Sequence, residues 1–180
     1  IIFQDYDKGI IDKDLITTVT DYARSKGIAV IVDPKKNNFL EYKNVSIFKP
    51  NLKEIKEGLN IEFDASNTTE LESAVSKLQE SLNADMVLNT LSEKGVHIRW
   101  KDGDHFKSAS LHAHLRNIAD VSGAGDTVIS VVSLCHASNI EPENMAAIAN
   151  LAGGIVCEEV GVVPIDKTKL QDEVIRLLTK

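Results

Sequence analysis

The segment DKDLITTVTDYARSKGIAVIV, residues 12–32, places a helix pattern directly before a strand pattern. Residues 12–26 repeat apolar side chains at helical spacing, and Gly27 is placed to end the helix. The run that follows, residues 28–32, is apolar and rich in β-branched side chains, which is typical of a strand covered on both faces. We therefore predict an α-helix followed by a buried β-strand. The predicted apolar face of the helix consists of Leu15, Val19, Tyr22 and Ala23.

The same alternation extends along the chain on both sides of this segment. Predicted strands cover residues 1–4, 46–48 and 86–88. One predicted helix starts near Thr68 and has an apolar stripe formed by Leu71, Val75, Leu78 and Leu82, and further predicted helices cover 126–138, 143–159 and 167 onward. Residues 96–106 alternate around a turn at 101–104, which indicates an antiparallel hairpin at the sheet edge. This order of elements predicts an α/β fold with a largely parallel sheet.

Length and composition favour one soluble domain spanning residues 1–180. The chain is 43% hydrophobic, and its 20 basic against 27 acidic residues give a net charge of −7. This charge argues against a nucleic-acid or membrane surface as the partner. Cys135 and Cys157 form neither a disulfide framework nor a zinc pattern, and no signal or membrane-spanning segment is visible. We predict a cytoplasmic protein whose cysteines are small core residues.

The first residues have the pattern of a buried strand with nothing before it. Natural domains usually begin with loose surface residues, whereas residues 1–4 read Ile-Ile-Phe-Gln. We therefore expect the chain to be a fragment of a domain whose N-terminal part is missing.

The most unusual segment is DVSGAGDT, residues 120–127, which leads into an apolar helix. Its two glycines permit a tight turn close to a ligand, and the helix start offers N–H groups at the positive end of its dipole. Such a turn can bind a phosphoryl group. Asp126, in the first helical turn, suits a general base for an attacking hydroxyl. A plain helix start with packing glycines explains the same residues, so both interpretations stay open here.

Gly123-Ala124-Gly125-Asp126-Thr127 resembles the signature of the pfkB family of ribokinase-like carbohydrate kinases. The resemblance implies a ribokinase-like three-layer α/β/α sandwich, of which this chain would be the C-terminal, nucleotide-binding part. It further implies that Gly123, Ala124 and Gly125 form the anion hole and that Asp126 is the catalytic base. The implied cofactors are ATP and magnesium.

Three further stretches resemble family motifs in the family's order. Asn51 and Glu54 match an N-x-x-E motif, which by the resemblance acts through water on magnesium and the nucleotide phosphates. Their spacing is also that of a helix capping box, and both roles stay open. Residues 90–96, TLSEKGV, resemble a T-x-G-x-x-G-V turn near the nucleotide, with Ser92 where the family often has glycine. Asn150 lies in a small-residue helix that resembles the stretch packed beside the adenine in this family. The implied nucleotide-binding residues are therefore Asn51, Glu54, Thr90, Ser92, Gly95 and Asn150.

Two other resemblances concern ions and the substrate. Asp120 and Ser122 match the place where many family members hold a monovalent cation such as potassium, although a loop-capping aspartate explains them equally well. Residues 4–9, QDYDKG, and 32–35, VDPK, resemble stretches of bacterial heptose 7-phosphate kinases. Lys8 and Lys35 could each meet a substrate phosphate as point charges, while a turn or surface role is the alternative.

The function implied by the resemblance is ATP-dependent phosphorylation of heptose 7-phosphate at its anomeric hydroxyl, toward ADP-heptose for lipopolysaccharide. The alternatives are a related kinase of another sugar or nucleoside, a non-catalytic nucleotide-binding module, and an inactive piece of an active kinase. The expected partners are ATP and a sugar phosphate, without nucleic acid or membrane. The oligomeric state stays open, a homodimer of the full-length enzyme being one option.

Overall fold

Six strands form one sheet, in the order β1-β2-β3-β4-β5-β6, in the computed structural model, which describes residues 1–178. The strands are β1 Ile2–Gln4, β2 Ile31–Asp33, β3 Ile47–Phe48, β4 Met86–Thr90, β5 Val96–Asp102 and β6 His105–Leu111. β1 to β4 are parallel, with Phe3 opposite Val32 and Phe48 opposite Val87. A turn at 103–104 joins β5 to β6, which confirms the predicted hairpin at the sheet edge.

Six helices accompany the strands in the described part of the chain. They are α1 Lys13–Ser25, α2 Leu52–Leu59, α3 Thr68–Leu82, α4 Ala124–Ala137, α5 Pro142–Val156 and α6 Lys167–Leu178. Asp12 caps α1 by accepting a hydrogen bond from the Leu15 N–H at 2.8 Å, and Asn67 caps α3 through the N–H groups of its first turn. The α/β alternation predicted from the sequence is therefore confirmed.

The main hydrophobic core packs helices α1–α3 against one face of the parallel strands. Its members include Ile16, Ala23, Ile55, Leu71, Val75, Leu78 and Leu82 from the helices, and Phe3, Val32, Phe48 and Val87 from the strands. The predicted apolar stripe of α3 is confirmed. Ile31 and Ile47, which alternate with the core-facing strand residues, are also buried, so β2 and β3 are covered on both faces.

Two predictions about buried faces are wrong. In α1, Ala23 is buried and Val19 packs against the core as predicted, but Leu15 and Tyr22 are exposed, and Ile16 and Thr20 are buried in their place. Hydropathy alone misses this buried row because Thr20 belongs to it. In the N-terminal strand, only Phe3 is buried, and Ile1 and Ile2 are about half exposed. Among residues 1–178, β2 is the single strand that pairs with β1, which therefore lies at an edge of the sheet. Strand β2 also starts at Ile31, and Ile28 is exposed.

The chain divides into two compact units. Within the described residues, the first comprises 1–91 and 97–108, and the second comprises 92–96 and 109–178. Helices α1–α3 belong to the first unit, and α4–α6 belong to the second.

Both cysteines are buried and unbonded, in agreement with the prediction. Within residues 1–178, none of the helices has the length and apolar character needed to cross a membrane.

Candidate active site

The glycine-rich turn leads into α4, as the sequence predicts. Gly123 is the N-cap residue and has a φ of 78°, a left-handed conformation that favours glycine. A Cβ atom there would lie 3.0 Å from Cγ1 of Val162, which leaves little room for a side chain. No side chain within residues 1–178 caps α4, and Gly125 and Asp126 are exposed. The first turn of α4 therefore presents backbone N–H groups and one carboxylate at the surface.

Asp120 organises the turn that precedes Gly123. Its Oδ1 accepts hydrogen bonds from the backbone N–H of Ser122 at 3.0 Å and from the Ser122 hydroxyl at 2.8 Å, and its Oδ2 accepts one from the Gly161 N–H at 3.0 Å. These hydrogen bonds, led by that of the Ser122 N–H, hold the pKa of Asp120 below its ordinary value. The loop-capping role is therefore real, and the monovalent-cation role stays a prediction.

Asn51 and Glu54 form a complete capping box at the start of α2. The Asn51 side chain accepts from the Glu54 N–H at 2.9 Å, and Oε2 of Glu54 accepts from the Asn51 N–H at 2.8 Å. Both predicted roles of this pair, helix capping and action on magnesium through water, are compatible with this geometry, because a capped carboxylate is also an oriented one. The Glu54 side chain is only 11% exposed, so its direction is well fixed. A carboxylate held in this way can accept hydrogen bonds from magnesium-bound water, and the site therefore fits a metal bound through water.

Lys35 donates a hydrogen bond to the other oxygen of the same carboxylate. Its Nζ lies 2.8 Å from Oε1 of Glu54. Burial acts to lower the pKa of Lys35, but the hydrogen bond and charge of Glu54, with the charge of Asp33, outweigh it and raise that pKa above its ordinary value. Lys35 is thus an ammonium at neutral pH. The structure brings together a predicted substrate lysine and a predicted nucleotide-site carboxylate.

The TLSEKGV turn has the backbone that its glycine pattern predicts. Thr90 ends β4 and forms a parallel bridge with Asn51, its N–H donating to the Pro50 carbonyl at 3.1 Å. Ser92, at the position where the family often has glycine, has a φ of 55° and so adopts the left-handed conformation. Gly95 is strictly required, because a Cβ atom there would lie 2.0 Å from the Leu111 carbonyl oxygen. Ser92 thus adopts a backbone conformation that glycine reaches more readily, and its role near the nucleotide stays a prediction.

Two predicted site residues join neither the Lys35–Glu54 pair nor the Asp120 turn. Lys8 is exposed in the loop after β1, beside Asp7 and Gly9, which both have positive φ. Asn150, in α5, donates from its side chain to the His112 carbonyl at 2.9 Å. The predicted roles of Lys8 at a phosphate and of Asn150 beside adenine stay predictions.

Sequence reasoning missed a set of buried charges at the carboxyl ends of β1 to β3. Asp5 is 1% exposed and accepts from the Tyr42 hydroxyl at 2.7 Å, from the Asn38 side chain at 3.1 Å and from the Asp7 N–H at 2.8 Å. Asp33 and Lys49 form a buried ion pair at 3.1 Å. The available signal was a charged residue directly after each apolar strand, at the edge of a parallel sheet where ligands commonly bind.

The two units carry different chemical capacities. In the first unit, an oriented carboxylate and an ammonium meet at the start of α2, which suits the charge of a metal–phosphate ligand. In the second unit, the start of α4 offers N–H groups to an anion and Asp126 as a proton acceptor. Each of these is a kind of group that phosphoryl-transfer sites use.

Comparison with known proteins identifies the family. The family model described as "pfkB family carbohydrate kinase" matches residues 8–169. The chain is 36% identical over 184 residues to the bifunctional protein HldE of Desulfatibacillum aliphaticivorans, covering all of this chain and 37% of that protein. It is 33% identical over 174 residues to HldE of Syntrophotalea carbinolica, covering 96% of this chain and 34% of that protein. The chain thus spans about a third of the length of these relatives.

Solved structures confirm the fold. Phosphofructokinase-2 of Escherichia coli in complex with potassium has a TM-score of 0.81 at 21% identity, covering 94% of this chain and 54% of that one. The ribokinase of Arabidopsis thaliana complexed with ribose and ATP has a TM-score of 0.75 at 20% identity, covering 90% of this chain and 52% of that one. The predicted ribokinase-like α/β sandwich is confirmed. With the glycine-rich turn, the N-x-x-E capping box and this fold in place, the chain belongs to the pfkB family of carbohydrate kinases.

Proposed function

We propose that this chain is the nucleotide-binding part of an ATP-dependent kinase that phosphorylates heptose 7-phosphate at its anomeric hydroxyl, toward ADP-heptose. The observation that carries the kinase proposal is the start of α4, where Gly123 in a left-handed turn precedes an uncapped helix with Asp126 in its first turn, within residues 1–178. The heptose substrate is supported by the HldE relatives and by the QDYDKG and VDPK stretches.

Each residue of the α4 turn has a defined task in this proposal. The backbone N–H groups of Gly123, Ala124 and Gly125 stabilise negative charge on the transferred phosphoryl group, aided by the helix dipole. Asp126 accepts the proton of the attacking sugar hydroxyl. In the first unit, Glu54 would hold magnesium through water, and the ion would supply positive charge against the polyphosphate. Asp120 holds the turn in shape through Ser122 and Gly161, and a potassium ion beside this turn is the proposed monovalent cation.

The proposed base is tested by comparing two aspartates that occupy the same kind of position. Asp126 and Asp14 both lie in the first turn of a helix, in α4 and α1. In the full-length protein, Asp126→Asn should lower kcat by about 10²–10⁴-fold, since that is the usual contribution of a general base, and leave ATP affinity unchanged. Asp14→Asn should keep wild-type turnover. An Asp126→Asn variant with more than a tenth of wild-type kcat would contradict the proposed role.

The proposed substrate is tested separately, by initial rates with a panel of acceptors. Heptose 7-phosphate should give the highest kcat/KM, ahead of fructose 6-phosphate, ribose and a nucleoside. A higher kcat/KM for one of the others would replace the heptose assignment and leave the kinase proposal standing. ATP binding without turnover on any acceptor would favour the non-catalytic nucleotide-binding module.

A further inference from the structure

Lys35 and Glu54 belong to different ligands if each is interpreted from its own motif. The VDPK stretch places Lys35 at the sugar phosphate, and the N-x-x-E stretch places Glu54 at the nucleotide. The structure joins them, because Nζ of Lys35 lies 2.8 Å from Oε1 of Glu54. Because the two side chains are in contact, the Lys35 ammonium and the Glu54 carboxylate lie at the same end of the active site.

The carboxylate of Glu54 has a fixed position and a fixed set of partners. Oε2 accepts the Asn51 N–H within the capping box, and Oε1 accepts the Lys35 ammonium. The Glu54 side chain is 11% exposed, so the ion pair is mostly shielded from solvent and stronger than a surface pair. The backbone of α2 thus determines where the Lys35 ammonium is held.

Lys35 remains accessible on its other side. Its side chain is 35% exposed, and an ammonium has three N–H donors, of which one is directed to Glu54. The neighbouring Asp33 acts on Lys35 through its charge, while its two carboxylate oxygens are paired with the buried Lys49 at 3.1 Å and with the Gln4 side chain at 3.1 Å. The chain has a net charge of −7, so this partly exposed ammonium provides a local positive charge that can attract an anion.

We propose that Lys35 binds a phosphate oxygen of the magnesium-bound nucleotide, and not the phosphate of the sugar substrate, with Glu54 holding its ammonium in position. This inference rests on the proposed kinase function and changes the ligand of Lys35 within it. When the nucleotide binds, Lys35 donates its remaining N–H groups to the phosphate. Glu54 would hold the Lys35 ammonium and, through water, magnesium with the same carboxylate.

The test is to measure two binding constants by titration calorimetry on the full-length protein. The ligands are magnesium with the non-hydrolysable ATP analogue AMP-PNP, and heptose 7-phosphate. Lys35→Met should weaken AMP-PNP binding by about 10- to 100-fold, the usual loss for a hydrogen bond between charged groups, and change sugar-phosphate affinity by less than about twofold. Lys35→Arg should restore part of the nucleotide affinity, because it keeps the charge.

Lys13→Met is the matched control, since Lys13 also forms a lysine–glutamate pair, with Glu41 at 3.1 Å, but lies on the exposed surface of α1. It should leave both constants unchanged. If Lys35→Met fails to fold, Lys35→Gln, which keeps an N–H donor for Glu54 but removes the charge, carries the same expectation.

Loss of sugar-phosphate affinity with unchanged nucleotide affinity would overturn this inference and return Lys35 to the sugar site. Unchanged affinity for both ligands would also overturn it. Failure of the wild-type protein to bind AMP-PNP would instead overturn the proposed function, and this inference with it.

Discussion

At the scale of single residues, the buried carboxylates at the ends of the parallel strands are stabilised by named donors. Asp5 accepts hydrogen bonds from Tyr42, Asn38 and the Asp7 backbone, and Asp33 is paired with Lys49. Burial, with the hydrogen bond to Asp5, raises the pKa of Tyr42 well above its ordinary value, so its hydroxyl remains a donor. These contacts shape the loop that carries Lys8.

Removing the Tyr42 hydroxyl should therefore destabilise the fold. Tyr42→Phe leaves the Asp5 carboxylate with one donor fewer in a buried position, and we expect the free energy of unfolding to fall by about 1.5–3 kcal/mol. Tyr22→Phe, on the exposed side of α1, should change it by less than about 0.5 kcal/mol. Urea denaturation measures both variants. Equal stabilities would show that the Tyr42–Asp5 hydrogen bond contributes nothing to the fold.

The capping box makes a second prediction at this scale. Asn51→Ala and Asn67→Ala each remove the N-cap of a helix, and each should lower the free energy of unfolding by about 1 kcal/mol. Only Asn51→Ala should also raise the magnesium concentration needed for half-maximal kinase activity, because Asn51 orients Glu54. Thermal melts combined with magnesium titrations separate the two effects. An unaltered magnesium requirement in Asn51→Ala would leave capping as the residue's sole role.

At the scale of elements, helix α6 is held against the rest of the second unit by ion pairs with the buried guanidinium of Arg116. Arg116 is 6% exposed and pairs with Glu158 at 3.1 Å and with Glu173 of α6, while Lys169 of α6 pairs with Glu158 at 2.7 Å. Burial acts to lower the pKa of Arg116, but the hydrogen bonds that its guanidinium donates to both glutamates, together with their charges, outweigh burial and raise that pKa. Arg116 lies only four residues before Asp120, so this network supports the segment that leads to the glycine-rich turn.

Breaking this network should be costly. Arg116→Met leaves Glu158 and Glu173 without their shared partner, and we expect a loss of about 3–5 kcal/mol, as is typical when one member of a buried ion pair is removed. Arg176→Met removes a partner 3.9 Å from the same Glu173, but Arg176 is exposed and the loss should stay below about 1 kcal/mol. Guanidinium denaturation gives both values. Similar losses in the two variants would contradict the assignment of the stabilisation to Arg116.

At the scale of the whole molecule, stability should depend on pH through a buried histidine in β5. His97 is almost fully buried beside Glu72, with Nε2 at 3.0 Å from the Glu72 carboxylate, and Arg99 of the same strand lies close to both. Burial lowers the pKa of His97 despite the attraction of Glu72, and the charge of Arg99 acts in the same direction.

The sign of this effect can be stated. A lowered pKa means that the unfolded chain binds a proton more readily than the folded one, so the stability contributed by neutral His97 is complete above about pH 6.5 and falls as the pH drops through the folded pKa. Urea denaturation between pH 8 and pH 5 should show this loss in the wild type and a smaller one in His97→Gln. The exposed His105 provides the control, and His105→Gln should follow the wild type. Parallel pH profiles for wild type and His97→Gln would exclude His97 as the cause.

By itself, the sequence determined the α/β alternation, the stripe of α3, the edge hairpin, the glycine-rich turn before α4 and the capping box at α2. These features depend on neighbouring residues, whose periodicity, turn chemistry and capping geometry are local.

The tertiary structure alone decided that α1 buries the row with Thr20, that Lys35 meets Glu54, and that Asp5, Asp33 and Lys49 are buried with partners. Lys35 and Glu54 are 19 residues apart, and Asp5 and Tyr42 are 37 apart. Such pairs exist only because parallel strands bring their carboxyl ends to one edge of the sheet, and no local pattern encodes that meeting.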